Sequence, residues 1–373
     1  MSDHSKYISE PVSVSAPCRM DMGGTLDIST FYYPLRHLNP CTFNIAVNLR
    51  TRVRILPYIK GKIKVSSKGF ESAEYPPDAA PFDHPLGLMF AVAAYFRADG
   101  VHIEIESASP PRSALGGSSA AAAALVAAFL KSDSQDEGMK KEKIVKLAHA
   151  LEESVAGVPC GLQDQLAAVY GGVNAWYWTG DPDRPVFIQK SLAGKECKNS
   201  FFAKKNRAKK AEFYKMGLHS SAFDDLESSL LLAYCGIPHE SSNINGRWVR
   251  EFISGKTRDL WTEIISCTHT FIDALTRQDM ETAVSAMNRE LALRKKMTPD
   301  VLDETGEKLT AAAAEHSCGA RFAGAGGGGC LWALGDQRNV DRLKKVWEKI
   351  LSEKKGAALL NLEIAWEGLL YDK

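Results

Sequence analysis

No stretch of this sequence reaches eighteen apolar residues without a charge; the alanine-dominated run that stops at Lys131 is too short to span a bilayer. An excess of either charge is also lacking. The 46 Lys and Arg face 45 Asp and Glu, a formal net charge of +1, so there is no electrostatic reason to expect DNA, RNA or an anionic membrane as partner. The eight cysteines form no CxxC pair and no zinc spacing, and no secretory apolar segment starts the chain; a reduced cytoplasmic setting is expected. Two familiar phosphate signatures are missing as well. Gly255-Lys256-Thr257 ends like a Walker A loop, but Arg250 stands where its first glycine belongs and no strand leads in. Gly324-Ala325-Gly326-Gly327-Gly328-Gly329 fits the letters of GxGxxG, yet a strand-like CLWAL follows where a dinucleotide fold needs a helix. With 45% hydrophobic and 24% charged residues, the 373-residue chain reads as globular, with two domains or one large core.

What the sequence does have is PPRSALGGSSAAAAALVAAFL, from Pro110 to Leu130. Prolines suit the approach to a helix, paired glycines allow a tight backbone, and Ser118 or Ser119 is a good N-cap. A helix N-terminus behind a glycine-rich loop offers unpartnered N–H groups and a partial positive charge, which together cradle a phosphate. The helix itself has no polar face over its first turns and is expected to be buried.

Three motifs carry a resemblance. Pro110/Pro111 with Leu115-Gly116-Gly117-Ser118-Ser119-Ala120 is similar to the second motif of the GHMP small-molecule kinases, the family of galactokinases and of homoserine, mevalonate and phosphomevalonate kinases; Ala114 replaces the usual first glycine. Ala16-Pro17-Cys18-Arg19 with Gly23-Gly24-Thr25-Leu26-Asp27 resembles the first motif, and Gly324 to Gly329 the third. Within the family, GLQDQLAAVYGG and LLLAYCGIPHESSNIN look closest to the heptose-phosphate and fucose-type sugar kinases. The resemblance implies an α+β fold of two domains: a ribosomal-protein-S5-domain-2-like N-terminal domain over 11–190, with its phosphate loop at 110–120, and a ferredoxin-like C-terminal domain over 226–373. Between them, 191–225 contains a basic run, 198–214, expected to be a solvated linker or insertion. A monomer or homodimer is expected.

The periodicity agrees with an α+β chain, because strand and helix never alternate regularly. Strands are expected at 12–16, 41–56, 61–65, 101–105, 173–178, 229–234 and 360–366, and helices at 87–96, 139–155, 249–275, 280–294, 300–316 and 340–354. The glycines at 326–329 are expected to let the second domain approach the phosphate loop closely.

Phosphoryl transfer needs groups that cradle phosphate oxygens, a magnesium ion, and a group that orients the attacking hydroxyl. The resemblance implies ATP and Mg²⁺, with Leu115 to Ala120 on the nucleotide, and with Ser119, or Ser118, and Glu153 as metal ligands; Glu152 is the fallback. Asp164 matches the catalytic aspartate and Arg19 the basic residue beside it. A helix first turn and a nearby arginine both favour a charged carboxylate at Asp164, so its expected work is to orient the hydroxyl and accept its proton late. Asp27, with Gly24 and Thr25, and Asp164 are the candidate contacts to a sugar or sugar phosphate. Leu26, inserted before Asp27, leaves both the register and the substrate open. Mevalonate-type acceptors, a mevalonate-diphosphate-type decarboxylation and a non-catalytic sugar sensor are the alternatives.

Overall fold

The computed structural model describes residues 10–132, 136–157, 159–193, 226–238 and 241–372. The expected basic run at 198–214 lies outside them, as does most of the 191–225 linker.

The N-terminal half is built on one long strand. β1 (Val12–Met22) lies antiparallel to β2 (Cys41–Pro57), whose seventeen residues serve two neighbours in turn. Its C-terminal part pairs with β5 (Val101–Ser107) and its N-terminal part with β6 (Val173–Trp178), which holds β7 (Phe187–Ala193). β3 (Ile63–Ser67) joins β5 in the one parallel pairing among the described residues, and β4 (Ala73–Tyr75) follows it. On the face of β2 that carries Val53 and Ile55, α3 (Gly117–Phe129) packs against β1 and β2 with every residue from Ser119 onward buried. Alanine makes that possible, because small side chains let the helix sit close to the sheet. The other helices of this half are the short α1 (Ser29–Tyr32), α2 (Gly87–Tyr95), α4 (Glu137–Ala156) and α5 (Gln163–Tyr170). Arg52 and Arg54 point the other way, opposite Glu106 and Glu104, and are exposed.

The second half is an antiparallel four-stranded sheet in the order β11-β8-β10-β9, with β8 Leu230–Tyr234, β9 Gly319–Phe322, β10 Cys330–Leu334 and β11 Ala358–Leu359. Its helices are α6 (Ser241–Ile253), α7 (Arg258–Thr276), α8 (Met280–Met297), α9 (Glu304–Glu315) and α10 (Gln337–Ser352). The chain thus has the two-domain α+β architecture expected of it.

Three details correct the sequence expectations. The helix expected over 249–275 is two, broken at a turn around Gly255, whose φ is 84°. The strand expected at 360–366 does not form; only a bridge between Ile364 and Val47 does. Beyond it the chain returns to the first domain, where β12 (Leu370–Tyr371) pairs with β1 at Ser15 and Val14. The expected boundary at 226–373 therefore assigns to the second domain a tail that completes the first sheet. Alternating apolar residues mark a strand, and nothing local tells which sheet it will join.

Candidate active site

The phosphate loop is a strained turn. Arg112 and Ala114 have φ of 52° and 63°, left-handed values that cost a non-glycine residue roughly 1–2 kcal/mol, so the backbone at Ala114 is one that glycine would adopt without strain. Gly116, at φ 74°, is the N-cap of α3, and no side chain caps the helix. This corrects the expectation of a serine cap: Ser118 and Ser119 lie in the first turn, so the helix N–H groups stay open to an anion while both hydroxyls are turned to a carboxylate.

That carboxylate is Glu152. Its Oε1 accepts from Ser119 Oγ at 3.0 Å and from Ser118 Oγ at 3.5 Å, while Oε2 accepts from Gln165 Nε2 at 2.6 Å. Glu153, the residue expected in this place, is exposed one position further round α4. Helical rotation of about 100° per residue separates the two, and sequence cannot tell which faces α3. Burial pushes the Glu152 carboxyl up to about 7, with the charge of Asp164 adding to it.

Asp164 stands in the first turn of α5, where Asn44 Nδ2 donates to the Gln163 carbonyl at 3.3 Å and pins the helix start to β2. Its Oδ1 accepts from Arg19 Nε at 2.8 Å, and its Oδ2 is 3.0 Å from where a side chain on Gly116 would begin. Arg19 is buried; its Nη1 donates to Ala114 O at 2.7 Å and its backbone N–H to Leu115 O at 3.0 Å. Burial works against the Arg19 charge, but Asp164 and Asp21 outweigh it and hold the guanidinium protonated beyond its usual range.

The third motif closes on this loop. A Cβ on Gly324 would meet Ala114 O at 2.8 Å and one on Gly329 would meet Ser113 O at 2.7 Å, so these two glycines make the close approach. Gly326, Gly327 and Gly328 face Val301, Ile244 and Pro238 instead, which corrects the expectation placed on 326–329 as a block.

Of the four candidate substrate residues, the three from the first motif divide. Gly24 O and Thr25 Oγ1 are taken by Arg294, at 2.7 and 3.1 Å, and both point into the protein. Asp27 is on the site side: its Oδ2 accepts from the N–H of Gln163, next to Asp164, at 2.9 Å, and its buried Oδ1 has no protein partner. The chain passes so close at Gly161 that a Cβ there would strike Asp27 Oδ2 at 1.7 Å. Burial, with the charges of Asp164 and Asp21, pushes the Asp27 carboxyl up to about 7. Sequence reasoning missed Gln165, Asp21 and Gly161, which carry no signal of their own outside GLQDQ.

A stability test follows from Asp27. The folded protein keeps this proton up to about 7, whereas an unfolded chain loses it near its ordinary value of about 3.9. Within that window the folded state binds more protons, so the contribution of Asp27 to stability falls as pH rises. Asp27→Asn is expected to remove that slope and to raise unfolding stability at about pH 8 by roughly 1–4 kcal/mol. Urea titrations of both proteins at about pH 5 and about pH 8 check it; parallel pH dependence in the two would refute it.

A groove of about 800 Å³ runs beside the strand that leads into the phosphate loop, lined by Ser15, Arg50, Arg52, Ser67, Lys68 and Ser107 among others. Among the described residues no group of three or more His, Cys, Asp or Glu is arranged to hold a metal, and no helix is long and apolar enough to cross a membrane. Magnesium needs less than such a cluster: the hard oxygens of Ser119 and Glu152, already 3.0 Å apart, fit an ion whose other ligands are phosphate and water.

Open helix N-terminus, arginine–aspartate pair and closing glycine loop lie together at one point, and the chain that carries them has the two-domain α+β fold of the GHMP kinases. Residues 86–172, which include the phosphate loop, α4 and α5, match the family GHMP kinases N terminal domain. Over 320 residues the chain is 25% identical to a mevalonate kinase of Pyrococcus abyssi, covering 81% of this chain and 84% of that protein. A D-glycero-D-manno-heptose 1-phosphate kinase from Bacteriodes thetaiotaomicron shares the fold at a TM-score of 0.68 and 18% identity, over 97% of this chain and 99% of that one. The galactokinase of Lactococcus lactis, complexed with galactose, does so at 0.67 and 16%, over 97% and 95%.

Proposed function

We propose that this protein transfers the terminal phosphoryl group of ATP to a hydroxyl of a small sugar or sugar phosphate. The observation that carries the sugar reading is Asp27: a buried carboxyl with one oxygen unpartnered, held by the amide next to Asp164. Such an oxygen suits a neighbouring hydroxyl of a polyol. A carboxylate-bearing alcohol would meet Asp27 and Asp164, and Arg19 is already engaged by Asp164 and Asp21.

In this reading the open N–H groups of α3 bind the nucleotide phosphates, with Leu115 to Ala120 forming the loop, and the groove beside β5 takes the nucleoside. Ser119 and Glu152 hold magnesium, and Gln165 fixes the second oxygen of Glu152. Bound there, magnesium neutralises phosphate charge. Asp164 orients the acceptor hydroxyl and takes its proton as the new O–P bond forms, while Arg19 balances charge on the transferring group.

The relationship to a mevalonate kinase favours a second reading, phosphorylation of mevalonate itself. A screen of sugars, sugar phosphates, mevalonate and homoserine with Mg-ATP decides between them. ADP release is expected with one or a few sugars or sugar phosphates and not with mevalonate; turnover with mevalonate alone would reject the sugar reading. Cooperative binding of sugar and ATP without product would instead mark a sensor.

A further inference from the structure

Asp21 does not reach the open site; it is fully buried at the junction of the two domains. Its Oδ1 accepts from Arg321 Nη1 at 2.7 Å, on β9 of the second domain. Its Oδ2 accepts from the N–H of Gly324 at 3.0 Å and lies 3.4 Å from Arg19 Nε. One carboxylate therefore touches all three of the arginine of the first motif, the backbone of the third, and a strand 300 residues away. Behind it the charges continue to alternate. Arg321 Nε donates to Glu290 Oε2 at 3.1 Å, Glu290 Oε1 accepts from Arg294 Nε at 2.8 Å, and Arg294 lies 4.6 Å from both the Trp248 and Trp261 rings. Arg294 then closes on Gly24 and Thr25, in the turn that follows Asp21.

Six charges thus run from Asp164 through Arg19, Asp21, Arg321 and Glu290 to Arg294 with no net charge. Buried ion pairs of this kind add little to stability over apolar packing, because desolvation offsets their attraction; what they do enforce is geometry, since a displaced member leaves its neighbour uncompensated. Arg19 is the member that faces the chemistry. Without Asp21, its Nε would have one carboxylate in place of two, and the Gly324 amide would lose its acceptor.

We propose that Asp21 is a positioning residue, which fixes the Arg19 guanidinium against Asp164 and the phosphate loop and does so from the second domain, through Arg321 and the Gly324 amide. The proposal rests on the reading of Arg19 and Asp164 as the catalytic pair. It makes the seating of the second domain a condition for correct placement of Arg19.

Asp21→Asn alone leaves Arg321 with one carboxylate and risks misfolding. The double variant Asp21→Asn/Arg321→Met removes both charges and keeps the Glu290–Arg294 pair balanced. In it, kcat is expected to fall about 10²-fold, as for other misplacements of roughly 1 Å, with KM for Mg-ATP and acceptor changed less than about threefold. Arg321→Lys, which keeps a cation on Asp21, is expected to retain most of kcat. A second readout needs no turnover: proton exchange at the Arg19 Nε–H, followed by side-chain NMR, should speed up at least about tenfold in the double variant. Unchanged exchange, or wild-type kcat in the folded double variant, would overturn the proposal, as would a loss in Arg321→Lys as deep as in the double. If the wild type phosphorylates no acceptor, the kinase reading fails by itself, and the exchange measurement still decides whether Asp21 holds Arg19.

Discussion

Asp164→Asn is expected to lower turnover by about 10²- to 10⁴-fold, the range typical of groups that orient a nucleophile and take its proton, while leaving nucleotide affinity and the start of α5 nearly unchanged. Asparagine keeps the size and one oxygen, so Arg19 retains a hydrogen-bond acceptor at the position now 2.8 Å away. What is lost is the negative charge that the acceptor hydroxyl needs as its bond to phosphorus forms. A group used chiefly in the transition state shows its loss in kcat without a matching rise in KM. Arg19→Ala should also reduce turnover, by exposing the transferring charge and freeing Ala114 O and Asp164 together. Because the two side chains form one ion pair, the double variant should lose less than the product of the single effects. Steady-state kinetics of the two variants and the pair check this. Near-wild-type turnover in Asp164→Asn would remove it from the mechanism, and strictly additive losses would mean that the pair does not act as a unit.

Glu152→Gln and Ser119→Ala are expected to raise the magnesium concentration needed for half-maximal activity by at least the roughly 10- to 100-fold seen for groups around metal sites, with little change in thermal stability. Glu153→Gln should leave magnesium dependence alone. The contrast rests on placement: both serine hydroxyls and the Gln165 amide converge on Glu152, whereas Glu153 is exposed. Gln165→Ala, which frees one oxygen of Glu152 without removing a ligand, should fall between. Magnesium titrations at saturating ATP measure all four variants; a Glu153→Gln effect larger than that of Glu152→Gln would return the ligand to the position first expected from sequence.

Much of this architecture is already written in the chain. While the division into two domains is what the resemblance of the three glycine-bearing motifs implied, the α+β class and the loop and buried helix from Pro110 to Leu130 follow from local rules. Each depends on residues near one another in sequence: a glycine that tolerates left-handed backbone at 116, an alanine run that packs all round, alternation that marks β1, β2 and β5. That Arg19 and Asp164 meet was also legible, through the resemblance of the motifs that hold them.

What only the tertiary structure decided is where neighbouring residues point and what distant ones share. That Glu152 and not Glu153 accepts from Ser119 turns on one step of helical rotation, set by how α4 lies against α3. The inward turn of Gly24 and Thr25 is imposed by Arg294, and the burial of Asp21 by Arg321, partners about 270 and 300 residues away. The last strand left the second sheet for the first because β1 had an open edge to fill. Sequence sets the chemistry available at each position and the local path of the backbone. Long-range packing decides which of those groups meet, because the energy of a buried charge or an unpaired strand edge depends on partners that no local window contains.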